Sequence, residues 1–181
     1  MKALLYLSLY VGSIVAANVL TAHTAPLVLG AFIVTAGTWF IAATFPLRDA
    51  VQLHAGRRIA YAAIAIALAA SALTSHQLGD TLAITYASAI AFAVSETIDA
   101  ETFTRIRGRV AKRVAISGLI ASPIDSVLFA VIGLSPIGAG FVAWSDIWRV
   151  IVARIVVKAI VQVAVAPVAR RVMLAPAGAV A

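Results

Sequence analysis

The chain has 181 residues, of which 63% are hydrophobic and 12% are charged, with a mean hydropathy of +1.05. A soluble domain carries roughly twice that share of charged residues, so the composition excludes an ordinary soluble protein and predicts an integral membrane protein. The net charge of +7 does not indicate nucleic-acid binding, because the basic residues lie in alternate loops, as membrane insertion requires.

Six apolar runs are each long enough to cross a bilayer, which takes about 20 helical residues. They occupy residues 3–21, 27–47, 59–77, 81–99, 112–134 and 146–168. We therefore predict an all-α membrane protein, a compact bundle of six transmembrane helices that forms one integral membrane domain over residues 1–181. The spans are rich in Ala, Gly and Ser, which let helix backbones approach closely and would also permit a homodimer.

Lysine and arginine occur in every second connection between these spans. The first, third and fifth connections carry none. Lys2 precedes the first span, and the second and fourth connections and the tail carry Arg48, Arg57, Arg58, Arg105, Arg107, Arg109, Lys112, Arg113, Arg170 and Arg171. Basic residues accumulate on the cytoplasmic side of a membrane. The pattern therefore predicts that both termini are cytoplasmic.

Several polar residues interrupt the first four spans. Asn18 lies near the outer end of the first span, where it either bonds a neighbouring helix or contacts a ligand. Pro46 predicts a kink or re-entry at the end of the second span. After it, Arg48 fits an ordinary inner-leaflet anchor, and Asp49 is expected to pair with a loop arginine.

Carboxylates in the fourth and fifth spans are costly, because hydrocarbon cannot solvate the ionised form. Glu96 and Asp99 are three residues apart and share one helix face. Asp125 lies near the centre of the fifth span, beside Ser122 and Pro123. The proline removes a backbone donor, which predicts a break in the helix and favours a cavity there.

The last span carries Arg154, Lys158 and Gln162 at intervals of four residues, so they form one stripe. Lys158 falls near the bilayer midplane, where a charge costs about 3 kcal/mol on insertion scales. Asp125 lies at similar depth and is its predicted partner. Two interpretations stay open at this point: a ligand site, or an ion-pair network that only fixes helix register.

The sequence contains no pattern typical of an enzyme. It lacks a phosphate-binding P-loop, an H-E-x-x-H motif and any tight cluster of metal ligands. The three histidines, His23, His54 and His76, lie on both faces of the predicted bundle, and no serine has a histidine base nearby. We therefore predict neither catalysis nor a cofactor.

With this pattern of polar positions, the chain resembles the vitamin uptake transporter family, whose characterised members are queuosine-precursor transporters of bacteria. The matching elements are Ala17-Asn18-Val19-Leu20, Thr44-Phe45-Pro46-Leu47-x-Asp49 with Gly56, Ser95-Glu96-x-x-Asp99 with Phe103, Ser117, Ser122-x-x-Asp125-Ser126-x-x-Phe129, and Lys158. The chain departs from the family pattern at two positions. It has Leu53 where the family often has an acidic residue, a few positions after the match to Asp49, and it has Gly118 where asparagine is common.

The resemblance implies six helices in the bacterial inner membrane and import of a 7-deazaguanine, either 7-cyano-7-deazaguanine or its aminomethyl counterpart. A carboxylate suits the adjacent N–H donors of such a ring, and an aromatic side chain suits its flat face. Glu96 or Asp125 could accept those donors, and Phe45, Phe92 or Phe129 could stack. The expected substrate-binding residues are Asn18, Phe45, Glu96, Asp99, Ser122, Asp125, Arg154, Lys158 and Gln162.

Two other functions remain open from the sequence. The first is a substrate-binding subunit of a vitamin importer that is powered by a separate ATPase. The second is a non-transporting scaffold whose buried charges serve only helix assembly. The sequence also leaves open whether a transporter of this kind is coupled to protons, through Glu96 or Asp99, or works as an equilibrative carrier.

Overall fold

The protein folds into six long helices, as seen in a computed structural model that describes residues 2–25, 27–29, 32–80 and 82–174. The helices are α1 (Lys2–His23), α2 (Gly37–Ala55), α3 (Arg57–Gln77), α4 (Leu82–Arg105), α5 (Val110–Phe129) and α6 (Ile147–Leu174). A π-helical turn, Ala130–Leu134, extends α5. The predicted helical class is confirmed.

One predicted span differs from the structure. The run 27–47 begins with a two-stranded antiparallel ribbon, β1 (Leu27–Leu29) paired with β2 (Phe32–Val34), and α2 starts only at Gly37. Its aromatic and β-branched residues suit a strand as well as a helix. The apolar run ended at Leu47 because Arg48 and Asp49 follow, but α2 continues to Ala55 because those charges are paired inside the bundle.

Neither proline breaks its helix. Pro46 lies inside α2 and Pro123 inside α5, and both helices continue past the proline. The predicted re-entry at Pro46 and the predicted break at Pro123 are therefore wrong, and a kink at Pro46 stays a prediction. The irregular turn of the fifth helix lies further on, at Ala130–Leu134. Neighbouring helices can satisfy the carbonyl that a proline leaves unpaired, so a proline alone does not end a buried helix.

The helices close into a ring. Each one packs against the next in the order α1, α2, α6, α5, α4, α3 and back to α1, and α2 also contacts α3, α4 and α5. Small residues allow this close packing: a Cβ on Gly37 would lie 2.4 Å from the backbone oxygen of Ala17. Only Gly56, at φ 85°, separates α2 from α3, so these two helices form a tight hairpin.

Polarity is inverted relative to a soluble protein. Large apolar side chains such as Leu5, Ile66 and Ile160 are exposed on the outside of the ring, whereas charged side chains are buried within it. In the described residues, α1, α3, α4 and α5 with its π turn are long and apolar enough to cross a membrane. The protein is therefore described as a multi-pass membrane protein. That α2 and α6 also cross, and that both termini are cytoplasmic, stay predictions.

The interior has two distinct halves. A hydrophobic cluster that includes Tyr10, Val51, Ile64, Phe103 and Val114 fills the half where α2 and α4 end and α3 and α5 begin. The opposite half is open. Charged side chains lie where the two halves meet, and they define the candidate site.

Candidate functional site

The open half of the bundle encloses a cavity of about 310 Å³. All six helices contribute to its wall, and the polar or aromatic lining residues include Asn18, Thr38, Ser71, Phe92, Asp125, Phe129 and Arg154. Binding sites for small organic molecules usually start at about this volume and combine apolar walls with a few polar groups. The cavity is therefore a candidate site for a small ligand.

A charged pair lies in the wall of the cavity, between α5 and α6. The Arg154 guanidinium lies 3.4 Å from Oδ2 of Asp125, and Lys158 donates to the same carboxylate. Ser95 on α4 donates to Oδ1 of Asp125 over 3.4 Å. The predicted pairing of Asp125 with Lys158 is confirmed. Two cations face one carboxylate here, which leaves one positive charge in excess.

Aromatic rings flank this pair. The Arg154 guanidinium lies 4.4 Å from the centroid of the Phe129 ring, and Nε of Arg154 has no hydrogen-bond partner. Phe92 also lines the cavity, and its other side is stacked with Tyr10 at 6.3 Å between centroids. Two ring surfaces therefore lie near a carboxylate and a guanidinium, an arrangement that suits a flat polar heterocycle.

Asn18 bonds a neighbouring helix, the first of the two roles that its position left open. Its Nδ2 donates to the backbone oxygen and to the hydroxyl of Ser71, each over 3.1 Å, so it links α1 to α3. The same side chain lines the cavity. The bond to Ser71 orients the amide, so that Asn18 presents a fixed polar group to the cavity, and a contact with a ligand stays a prediction.

A second charged cluster lies in the packed half, around Arg48. This guanidinium contacts Asp49 at 2.9 Å, Glu96 at 3.3 Å, and Asp99. It also donates to Gln52 over 2.6 Å. Arg48 is fully buried, so its expected role as an inner-leaflet anchor is wrong. Asp49 pairs with its neighbour Arg48, so the expected pairing of Asp49 with a loop arginine is not what the structure shows.

The two clusters are joined through α4. Ser95 reaches Asp125 at the cavity, while the next residue, Glu96, reaches Arg48 and accepts a hydrogen bond of 3.0 Å from Thr44. Asp49 in turn accepts a bond of 3.4 Å from Ser117 on α5. A displacement of α4 therefore affects both sets of charges.

Gln162 packs against a glycine of α5. Its Nε2 donates to the backbone oxygen of Val114 over 2.6 Å. A Cβ on Gly118 would lie 2.2 Å from Cδ of Gln162, so the glutamine occupies the space that a side chain at position 118 would need. The absence of the asparagine that is common there thus has a local explanation, since α6 supplies an amide in its place.

Gly118→Ala is expected to destabilise the protein by about 1–3 kcal/mol, the usual cost of overpacking a filled interior. The clash is with the Gln162 side chain, so adding Gln162→Ala is expected to restore most of the loss. Thermal unfolding of the purified single and double variants measures both effects. A double variant no more stable than Gly118→Ala would contradict the proposed contact.

The nine predicted site residues fall into separate groups. Asn18, Asp125 and Arg154 line the cavity, and Lys158 contacts it through Asp125. Glu96 and Asp99 belong to the Arg48 cluster, whereas Phe45, Ser122 and Gln162 are buried outside the lining.

The prediction missed two features of the interior. Arg48 was assigned to the membrane surface although an adjacent acidic residue signalled an internal pair. The small polar residues Thr38, Ser71 and Ser88 were not singled out as lining residues, and nothing in the sequence distinguishes them from other small residues of the spans. Among the described residues, no group of three or more histidine, cysteine, aspartate or glutamate side chains is arranged to hold a metal ion.

Comparison with protein families gives one match. The family model described as "Putative vitamin uptake transporter" matches residues 74–172, more than half of the chain. No curated protein and no solved structure matches the chain. The match covers α4, α5 and most of α6, which carry Glu96, Asp99, Asp125, Arg154 and Lys158.

Proposed function

The chain belongs to this vitamin uptake transporter family, and from that premise we propose that it imports a queuosine precursor across the bacterial inner membrane. The substrate is a 7-deazaguanine, either 7-cyano-7-deazaguanine or 7-aminomethyl-7-deazaguanine, and it binds in the cavity beside Asp125 and Arg154. The observation that carries the proposal is this charged pair, flanked by Phe92 and Phe129 in a cavity of about 310 Å³.

The chemistry of the ring supports this assignment. A guanine-like edge presents two adjacent N–H donors beside a carbonyl. Asp125 accepts hydrogen bonds from these donors, and Arg154 donates to the carbonyl. One edge of the ligand therefore bonds to both charged side chains. The Phe129 and Phe92 rings contact the flat faces of the heterocycle, and Asn18 supplies a further donor or acceptor from α1.

The structure moves the proposed contacts relative to the sequence expectation. Glu96 and Asp99 already contact Arg48 outside the cavity, so we assign them to the Arg48 cluster and not to the ligand. With both termini cytoplasmic, as predicted, the cavity lies in the outer half of the membrane. This is the side from which an imported substrate arrives.

Ligand-dependent stabilisation tests the substrate. A ligand at 100 times its dissociation constant stabilises the folded state by about 2.7 kcal/mol. We expect 7-deazaguanines, but not adenine, to raise the melting temperature of the purified protein. The shift is expected to be lost in Asp125→Asn and kept in Asp146→Asn, which makes the same change at an exposed carboxylate.

Other outcomes of this experiment are informative. A selective shift with a different vitamin would retain the transporter and reject the queuosine precursor. Uptake by this chain alone, in a host that lacks the ATPase and its partner subunits, is also expected. Binding without such uptake would instead identify a substrate-binding subunit. No binding of any compound and no uptake would favour the scaffold.

A further inference from the structure

The Arg48 cluster contains more negative than positive charge. Three carboxylates, Asp49, Glu96 and Asp99, surround a single guanidinium, and all four side chains are at least 99% buried. The cluster at Asp125 has the opposite excess, but it lines the cavity. Because Lys158 of that cluster also interacts with Glu96, the two joined clusters together leave one negative charge uncompensated, which is strongly unfavourable in a buried interior. A further positive charge is therefore needed inside the Arg48 cluster.

Unpaired polar atoms indicate where that charge belongs. Oδ1 of Asp99 is buried and receives no hydrogen bond, whereas Oδ1 of Asp49 lies 2.9 Å from the terminal nitrogen of Arg48 that Asp99 also contacts. The two carboxylates also interact electrostatically. On α1, the buried hydroxyl of Tyr10 interacts electrostatically with Glu96. A hydrogen shared by the two aspartates supplies the bond that Oδ1 of Asp99 lacks.

We propose that Asp49 and Asp99 bind one proton between them, as a carboxyl–carboxylate pair held by Arg48, and that this proton drives substrate import. Two carboxylates that share one site cannot both ionise freely, so a proton is held by the pair and not by either residue alone. In each cycle the proton enters from the side of higher proton concentration and leaves on the other side. Proton binding stands by itself, whereas coupling rests on the proposed function.

The connection between the two clusters makes coupling physically reasonable. A substrate that binds Asp125 competes with Ser95, and Ser95 precedes Glu96 on α4. Asp99 lies one turn further along the same helix. Movement of α4 on substrate binding therefore changes the distance between Asp99 and its partners on α2. Loss or gain of the shared proton also changes the distance between Asp99 and its partners on α2, so that each event affects the other.

Charged and titratable groups face the pair from several of the helices that pack around it. From α2 these are Arg48 and Asp49, and from α4 they are Glu96 and Asp99. Tyr10 faces the cluster from α1, and α5 contributes the neutral Ser117. Lys158 on α6 interacts with Glu96, while Asp125 is separated from the pair by Ser95 and Glu96. The described part of α3 contributes no charged group to these interactions.

Infrared spectroscopy of the purified protein tests proton binding without any substrate. A protonated carboxylic acid gives a carbonyl stretching band that is absent from a carboxylate and shifts in D₂O. We expect such a band at neutral pH. It should disappear in Asp49→Asn and in Asp99→Asn, and persist in Glu96→Gln and Asp146→Asn. A missing wild-type band, or a band unchanged in both aspartate variants, would overturn the proposal.

Transport assays test the coupling. In proteoliposomes, an inward proton gradient is expected to drive accumulation of a 7-deazaguanine by the wild-type protein and by Asp146→Asn. In Asp99→Asn we expect loss of this accumulation with retention of substrate exchange between the two sides. Accumulation by Asp99→Asn equal to that of wild type would overturn the coupling. Should wild type bind no 7-deazaguanine, the proposed function fails, and the infrared band still decides proton binding.

Discussion

Replacing Arg48 by methionine is expected to lower the stability of the protein by about 3–5 kcal/mol, the usual cost of removing one partner from a buried ion pair. Methionine retains much of the volume but leaves Asp49, Glu96 and Asp99 with no cation in contact. Thermal unfolding of the purified protein measures the loss.

Arg57→Met is the matched control for this prediction. Arg57 pairs with Glu101, but its side chain is 53% exposed, so the change should cost at most about 1 kcal/mol. Adding Asp99→Asn to Arg48→Met is expected to recover part of the lost stability, because it removes one uncompensated charge. Equal stability of Arg48→Met and Arg57→Met would show that the Arg48 cluster does not stabilise the bundle.

The double variant Asp125→Asn, Lys158→Met is expected to fold but to lose import. Removing both members of a buried pair is often close to neutral for stability, since no unpaired charge remains at either position. Arg154 stays, but it lines the cavity and lies against the Phe129 ring. The two hydrogen bonds that Asp125 accepts from the substrate are each worth about 1.5 kcal/mol or more, so the affinity for substrate should fall by at least about 100-fold.

This double variant separates a binding site from a structural ion pair. Melting temperature and substrate uptake are measured on the same protein preparation. The matched control is Asp146→Asn, Arg149→Met, which removes an exposed pair that lies outside the cavity lining. A stable double variant with unchanged uptake would establish that the buried charges serve only helix assembly.

The helices were largely predictable because their apolar runs have nearly the length of the helices observed. Predicted and observed bounds agree within a few residues for the first, third and fifth spans, whereas α4 and α6 each continue six residues beyond the predicted end, to Arg105 and Leu174. The predicted end of the second span was wrong because hydropathy treats charged residues such as Arg48 and Asp49 as lying outside a membrane helix. Burial of a paired charge depends on neighbours from α4, and no local pattern in α2 encodes those partners.

The candidate site was predictable only in part, for a similar reason. Periodicity placed Arg154 and Lys158 on one face, and depth in the membrane paired Lys158 with Asp125. Depth in the membrane could not distinguish the roles of Glu96 and Asp125. Glu96 contacts Arg48, whereas Asp125 lines the cavity. Their separation depends on the ring order of the helices, which the spacing of residues along the chain does not specify.

The contact between Gly118 and Gln162 has an evolutionary consequence. Because the glutamine fills the space above the glycine, neither position can gain volume unless the other loses it. Homologous sequences that carry asparagine at position 118 are therefore expected to carry a shorter residue at position 162. A lineage that passes between the two states must first shorten position 162 before it enlarges position 118, so the order of the two mutations is constrained.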